Sequence, residues 1–136
     1  MPGKRGGRVR GDGSPAIPAE IEKALEVWGG IGGIVAALPP EPEIAALEEV
    51  HRACADRVRL KILFLLEEHP LCVCVIKHVL GIADSRLSYH LHVLRRAGLI
   101  EGEAQGTYII YRITPLGRSV LGARGTMPAG RGADAQ

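Results

Sequence analysis

Apolar positions along this chain recur at helical spacing in several separate stretches, with Gly and Pro marking the breaks. From Ala19 to Leu38, the residues Ile21, Leu25, Trp28, Ile31 and Val35 predict a helix. Gly29, Gly30, Gly32 and Gly33 weaken it by up to about 1 kcal/mol each relative to Ala. Its apolar face therefore needs a partner surface, from the core or from another subunit. Pro39, Pro40 and Pro42 enforce a break. A helix from Glu43 to about Ala53 follows, then one from Asp56 to Glu67 that buries Val58, Ile62, Leu65 and Leu66. Pro70 opens a turn into a short helix from Leu71 to Leu80. Gly81 to Asp84 is a tight turn, with Asp84 or Ser85 as N-cap of the next helix.

That next helix carries the most information. Within Ala83–Ile100, Leu87, Leu91 and Leu94 fall at i, i+4 and i+7 and form one buried stripe. The opposite face holds Ser85, Ser88, Tyr89, His92 and Arg96, short hydrogen-bonders plus a cation, and no acid follows Asp84. Gly98 closes the helix as a C-cap. Leu99 to Glu103 and Thr107 to Ile113 form a hairpin around Ala104-Gln105-Gly106. Thr114-Pro115, an N-cap followed by Pro at the first helical position, opens a last short helix to about Leu121.

A polar-faced amphipathic helix alone is what any surface helix looks like. The preceding short helix and tight turn, the following hairpin and the acid-free face together outline a DNA-reading helix with a β-wing. The expected fold is α+β, mostly α. A winged helix-turn-helix domain with a two-stranded β-wing occupies 43–121, and an extra N-terminal helix at 19–38 is available for dimerisation. Residues 1–18 read as a disordered basic arm and 122–136 as a flexible tail.

With 136 residues, 46% of them hydrophobic, the chain supports one compact domain plus tails. A net charge of +2 is too mild to argue for nucleic acid by itself. Its distribution says more. Lys4, Arg5, Arg8 and Arg10 crowd the N-terminus, and Arg86, Arg95, Arg96, Arg112 and Arg118 surround the reading element. Acids concentrate at Glu41 to Glu49 and at Glu67 and Glu68. Aromatic residues, at 4%, are too scarce to favour stacking on single-stranded bases. Three cysteines make no disulfide framework. The apolar stretch Val27–Leu38 is shorter than the about 20 residues a bilayer span needs. It also follows Glu20, Glu22 and Glu26, which suits no signal peptide. The expectation is a cytoplasmic protein with free thiols and no membrane partner. Gly29–Gly33 lacks the Lys and Ser/Thr of a phosphate loop, and nothing positions a catalytic set, so no enzyme is expected.

From about Leu47 to Leu121 the chain resembles the ArsR/SmtB winged-helix transcriptional repressors. The likeness rests on Ala55-Asp-Arg-Val-Arg-Leu-Lys-Ile-Leu63, Leu71-Cys-Val-Cys74, Leu87-Ser-Tyr-His-Leu-His-Val-Leu-Arg-Arg-Ala-Gly-Leu-Ile100 and Tyr111-Arg112. The resemblance implies a homodimer, a palindromic double-stranded DNA operator and derepression by an inducer. The chain also departs from the family. Lys77 stands where its arsenic sensors place a third cysteine, and apolar Val75 where an acid or amide follows the Cys pair. Thr114–Leu121 lacks the paired Asp/His and His/Glu of its other metal site, and Ala83 replaces the usual Ser.

DNA contacts are expected from Ser85, Arg86, Ser88, Tyr89, His92, Arg95, Arg96 and Arg112, with Tyr89 and His92 pointing outward and His90 packing or hydrogen-bonding internally. Cys72 and Cys74, one residue apart, offer two soft thiolates suited to As(III) or a divalent soft metal acting as inducer. Small buried hydrophobes are the plain alternative for such residues. Cys54 lies in an apolar slot and is the less suited third ligand; His69 and His78 are the nearest imidazoles. Two other functions compete. One is a winged-helix regulator without a metal switch, redox-responsive or ligand-independent. The other is a winged-helix protein-interaction module, which Glu101 and Glu103 favour because they would repel phosphate.

Overall fold

The computed structural model describes residues 9–11, 13 and 15–128. The chain divides into two units, Met1–Glu41 and Pro42–Gln136. Most of the expected basic arm, at 1–8, 12 and 14, lies outside the described residues, as does 129–136 of the expected tail.

In the first unit, helices α1 (Ala19–Val27) and α2 (Gly30–Ala36) replace the single helix expected over 19–38. The reason is backbone conformation. Gly29 and Gly30 sit at φ 85° and 76°, left-handed values that end α1 and restart the chain in a new direction. Trp28, at the junction, is 55% exposed, and Ile31, Ile34, Val35 and Leu38 are exposed as well. Arg10 donates to the Glu22 carboxylate at 2.6 Å.

The second unit holds α3 (Glu41–Cys54), α4 (Arg57–Glu68), β1 (Leu71–Cys72), α5 (Val73–Leu80), α6 (Asp84–Arg96), β2 (Ile100–Gln105), β3 (Tyr108–Ile113) and α7 (Pro115–Leu121). A 3-10 turn over Gly122–Thr126 begins the segment expected to be a loose tail. Ile62, Leu63 and Leu66 of α4 pack with Ile76 of α5 and with Leu87, Leu91 and Leu94 of α6. Leu99, Ile100 and Tyr111, with Leu121 of α7, complete the core. The leucine stripe of α6 is buried as its spacing requires. In α4, Leu63 is fully buried, while Val58 and Leu65 only border the core.

The sheet has order β1-β3-β2, all antiparallel, so the wing has a third strand at its base. Leu71 pairs with Tyr111 and Cys72 with Ile110. The stretch expected to be wholly helical from Leu71 therefore begins extended. Two residues are too few to display strand alternation, and their partner lies far along the chain. The wing turn is tight: Gln105 faces Tyr108, with Gly106 at φ 63° as first central residue.

Both ends of α6 are defined. Ala83 occupies the N-cap with no side-chain cap, where Asp84 or Ser85 had been expected. Asp84 instead begins the helix and its carboxylate meets Lys77 Nζ of α5 at 2.8 Å, a contact capping would forfeit. At the C-terminus Gly98, at φ 80°, permits paired bonds from the Gly98 N–H to Arg95 O and from the Leu99 N–H to Leu94 O, both 3.0 Å. The Thr114 hydroxyl donates to Gly98 O at 2.6 Å and accepts the Gly117 N–H at 3.1 Å, so one side chain joins the end of α6 to the start of α7. The arrangement is a winged helix-turn-helix. No helix among the described residues is long and apolar enough to cross a membrane.

Candidate nucleic-acid interface

Helix α6 is amphipathic, so burying Leu87, Leu91 and Leu94 turns the complementary face outward. Ser85, Arg86, Ser88, Tyr89, His92, Arg95 and Arg96 are all exposed, Tyr89 by 60%. Among the described residues Arg86, Arg95 and Arg96 form no ion pair. Arg112, on β3, is exposed too but lies 3.6 Å from Glu103 across the wing. Seven candidates thus share one helix face, and the eighth stands on the wing with its charge partly matched.

The back of α6 is anchored by His90, which is buried. Arg59 Nη1 donates to His90 Nδ1 at 3.0 Å. Because arginine has no acceptor, Nδ1 must carry a lone pair, which makes the imidazole neutral with its proton on Nε2. Burial pushes the His90 pKa below its ordinary value; Asp56 opposes this, and Arg59 and Arg86 reinforce it. The 4.0 Å approach of Asp56 Oδ1 to Nδ1 is accordingly no ion pair while Arg59 occupies that nitrogen. Arg59 Nε donates to Ala53 O at 2.7 Å and Nη2 reaches Arg52 O at 3.5 Å. One guanidinium thus ties the last turn of α3 to the middle of α6. Asp56 caps α4 by accepting the Arg59 N–H at 3.0 Å, the main cause of its lowered pKa. This triad was not among the sequence candidates. Arg59 and His90 stood in the motifs, but nothing in either segment shows that they meet.

Cys72 and Cys74 flank the start of α5 and share an open cleft of about 430 Å³ with Lys77, Asp84, Thr107, Tyr108 and Ile109. The structure joins their sulfurs in a disulfide, with Cα atoms 5.4 Å apart, which corrects the expectation of three free thiols. Extended backbone at Cys72 followed by a helical turn brings the pair within bridging range. Cys54 is the free cysteine among the described residues. It borders the core, and burial pushes its thiol pKa up despite nearby Arg59. No group of three His, Cys, Asp or Glu able to hold a metal gathers among the described residues. The cleft supplies two sulfurs; Cys54, His69 and His78 do not line it.

Comparison with known proteins sorts these features. The family model described as bacterial regulatory protein, arsR family, matches residues 56–101, from the cap of α4 into the wing. The arsenical resistance operon repressor of Bacillus subtilis is 38% identical over 65 residues, 47% of this chain and 62% of that protein. An HTH-type transcriptional regulator of Methanocaldococcus jannaschii is 38% identical over 66 residues, 48% of this chain and 74% of its own length. The chain belongs to the ArsR family. The HTH-type transcriptional repressor SmtB of Mycobacterium tuberculosis is 35% identical over 57% of either chain. The chain thus spans 62% and 57% of the Bacillus protein and SmtB.

Two solved structures superpose well. NolR from Sinorhizobium fredii has TM-score 0.60 and 28% identity, over 65% of this chain and 92% of that one. A homodimeric winged helix-turn-helix DNA-binding domain from Mycobacterium bovis has TM-score 0.58 and 28% identity, over 67% of this chain and 86% of that one. Family and fold are those of transcriptional regulators, a class distinct from enzymes.

Proposed function

We propose that this chain is a homodimeric, cytoplasmic transcriptional repressor, without enzymatic activity, that binds operator DNA. In this reading α6 enters the major groove, where Ser85, Ser88, Tyr89 and His92 meet base edges. Arg86, Arg95 and Arg96 meet phosphates, and the wing with Arg112 lies beside the minor groove. The observation that carries it is the single exposed face of α6, free of acid from Ser85 to Arg96 and held from behind by buried leucines and His90. The names of the Bacillus relative and of SmtB support repression, and the homodimeric Mycobacterium bovis domain supports a two-fold assembly. Such a dimer fits half-sites about one DNA turn apart. A protein-interaction role instead would leave no preference for any duplex sequence and only weak, non-specific affinity. DNA binding should weaken steeply with salt through counterion release.

The inducer in this reading is a thiophilic ion, arsenite or a soft divalent metal, taken by the reduced thiols of Cys72 and Cys74. Two sulfurs in one cleft fit such an ion, with an external or partner-chain thiol completing its shell. The pair is well placed to act at a distance: Cys72 is paired with Ile110 of the wing, and Lys77 of α5 grips Asp84 at the start of α6. A coupling of about 1–3 kcal/mol, five- to 150-fold in affinity, is enough for a switch. The disulfide favours a second reading, in which oxidation of the same dithiol changes DNA affinity.

The test is operator release in wild type and in a Cys72→Ser/Cys74→Ser protein. Arms contain arsenite or cadmium under reducing conditions, or diamide without reductant. Release by the ions in wild type alone supports the metal switch, and release by diamide alone supports the redox switch. Identical curves for both proteins would leave a repressor without either.

A further inference from the structure

A charged concavity of the second unit joins Tyr89, His92 and Arg96 of the expected contact set to Arg52 and Arg59, which were not part of it. It is an open cleft of about 340 Å³ whose lining includes Arg52 of α3, Arg59 of α4, and Tyr89, His92 and Arg96 of α6, with Glu49 as the only carboxylate. Three guanidiniums from three helices converge there. Like charges brought together this way repel unless an anion joins them. Arg59 is already fixed by the Ala53 carbonyl and His90, so it presents its charge without having to order itself. Arg96 makes no ion pair among the described residues, and Arg52 is held by Glu48 at 3.0 Å on an exposed, water-screened edge.

The ligand chemistry follows. The cleft is net cationic, and its lining includes Tyr89 and His92, whose hydroxyl and imidazole are groups that hydrogen-bond to oxyanion oxygens. Tyr89 and His92, both exposed, are shared between the cleft and the face that meets the major groove if α6 reads DNA. A duplex there places a strand backbone along the rim. We infer that this cleft seats a phosphodiester of the operator backbone, with Arg52 and Arg96 closing on its oxygens and Arg59 as the fixed positive floor. The inference rests on the DNA-binding reading and adds to it a contact outside α6, from the end of α3. That contact fixes how α6 is rotated in the groove.

The test uses the full-length reduced chain and a duplex carrying the operator selected by the wild type. Arg52→Gln and Arg96→Gln are compared with wild type for operator and for unrelated duplex across a salt series. Each lost phosphate contact should flatten the slope of log affinity against log salt by about 0.9, so that raising salt from about 50 to about 200 mM costs each variant about three- to fourfold less affinity than it costs wild type. Both duplexes should weaken alike, leaving sequence preference intact. Both variants change exposed side chains, and a thermal melt unchanged from wild type certifies folding.

A variant pair that binds with the wild-type slope overturns the seat while leaving the DNA reading standing. A wild type that binds no duplex overturns the reading itself. Titration of inorganic phosphate into the DNA-free protein distinguishes a free anion. Saturable binding lost in Arg96→Gln, with salt slopes unchanged, would assign the cleft to a soluble oxyanion and overturn the operator assignment.

Discussion

Replacing Arg59 with Met should destabilise the second unit by roughly 3 kcal/mol. The magnitude follows from what the guanidinium holds. Met keeps most of the aliphatic stem's packing but deletes the 2.7 Å bond to Ala53 O and the 3.0 Å bond to His90 Nδ1. It leaves a buried imidazole nitrogen without a donor and a helix-end carbonyl without its partner. An orphaned buried polar group costs about 1–3 kcal/mol, whereas the exposed 3.5 Å reach to Arg52 O adds little. For a domain this size, each kcal/mol moves the melting midpoint by about 4–8 °C, so a shift of roughly 12–24 °C is expected.

The assay is urea unfolding of Arg59→Met, His90→Leu and the double variant. With the denaturant slope unchanged, the cycle isolates the Arg59–His90 coupling from each residue's other contacts. His90→Leu removes the orphan that Arg59→Met creates, so the double variant should be more stable than the two single losses predict. Two results would refute the reasoning: an Arg59→Met loss under about 1 kcal/mol, or a coupling under about 0.5 kcal/mol.

Three further outcomes are expected. Ser88→Ala/Tyr89→Ala should lose base discrimination of about 1–3 kcal/mol per lost contact, read as operator-to-random affinity ratios at equal salt, whereas Arg96→Gln should leave that ratio unchanged. His90 has a folded pKa below its ordinary 6.5, so it stabilises the fold fully above about 6.5 and loses that contribution as pH falls through the lowered value. Urea midpoints should fall on mild acidification, and His90→Gln, which can still accept from Arg59 but does not titrate there, should flatten that fall. The full chain should scatter light as a dimer at tens of micromolar, because α3 exposes Ile44 and Leu47 and α1–α2 expose Trp28, Ile31 and Val35; a monomer, both for the full chain and for a chain lacking residues 1–38, would refute the assembly.

What was legible in the sequence was what repeats locally. Leu87, Leu91 and Leu94 declared the buried side of α6 and therefore the exposed one, and Gly98 and Thr114-Pro115 marked boundaries that need left-handed backbone or a cap. The illegible features depend on distant partners. Strand β1 exists because Tyr111 and Ile110 are there to pair with it, and alone it reads as the first turn of a helix. Asp84 looked like a cap because Lys77, which claims its carboxylate, sits in another helix. Glycine content in the first unit predicts only a weakened helix, whereas two successive left-handed residues, Gly29 and Gly30, divide it. The cleft of Arg52, Arg59 and Arg96 draws on three helices, and no spacing in any one of them announces it.

The third strand changes the wing mechanically. An isolated two-stranded ribbon is marginal in water, yet here β3 is clamped between β1 and β2 at Ile110 and Tyr111. Beyond the clamp, from Ile109 to the turn at Gly106, β2 is the only strand that pairs with it. The wing is therefore a cantilever, stiff at the root and increasingly compliant toward the tip. A load applied at the tip is carried as bending, and the root transmits the remaining torque to the main chain of Cys72, the residue at the fixed end of the beam.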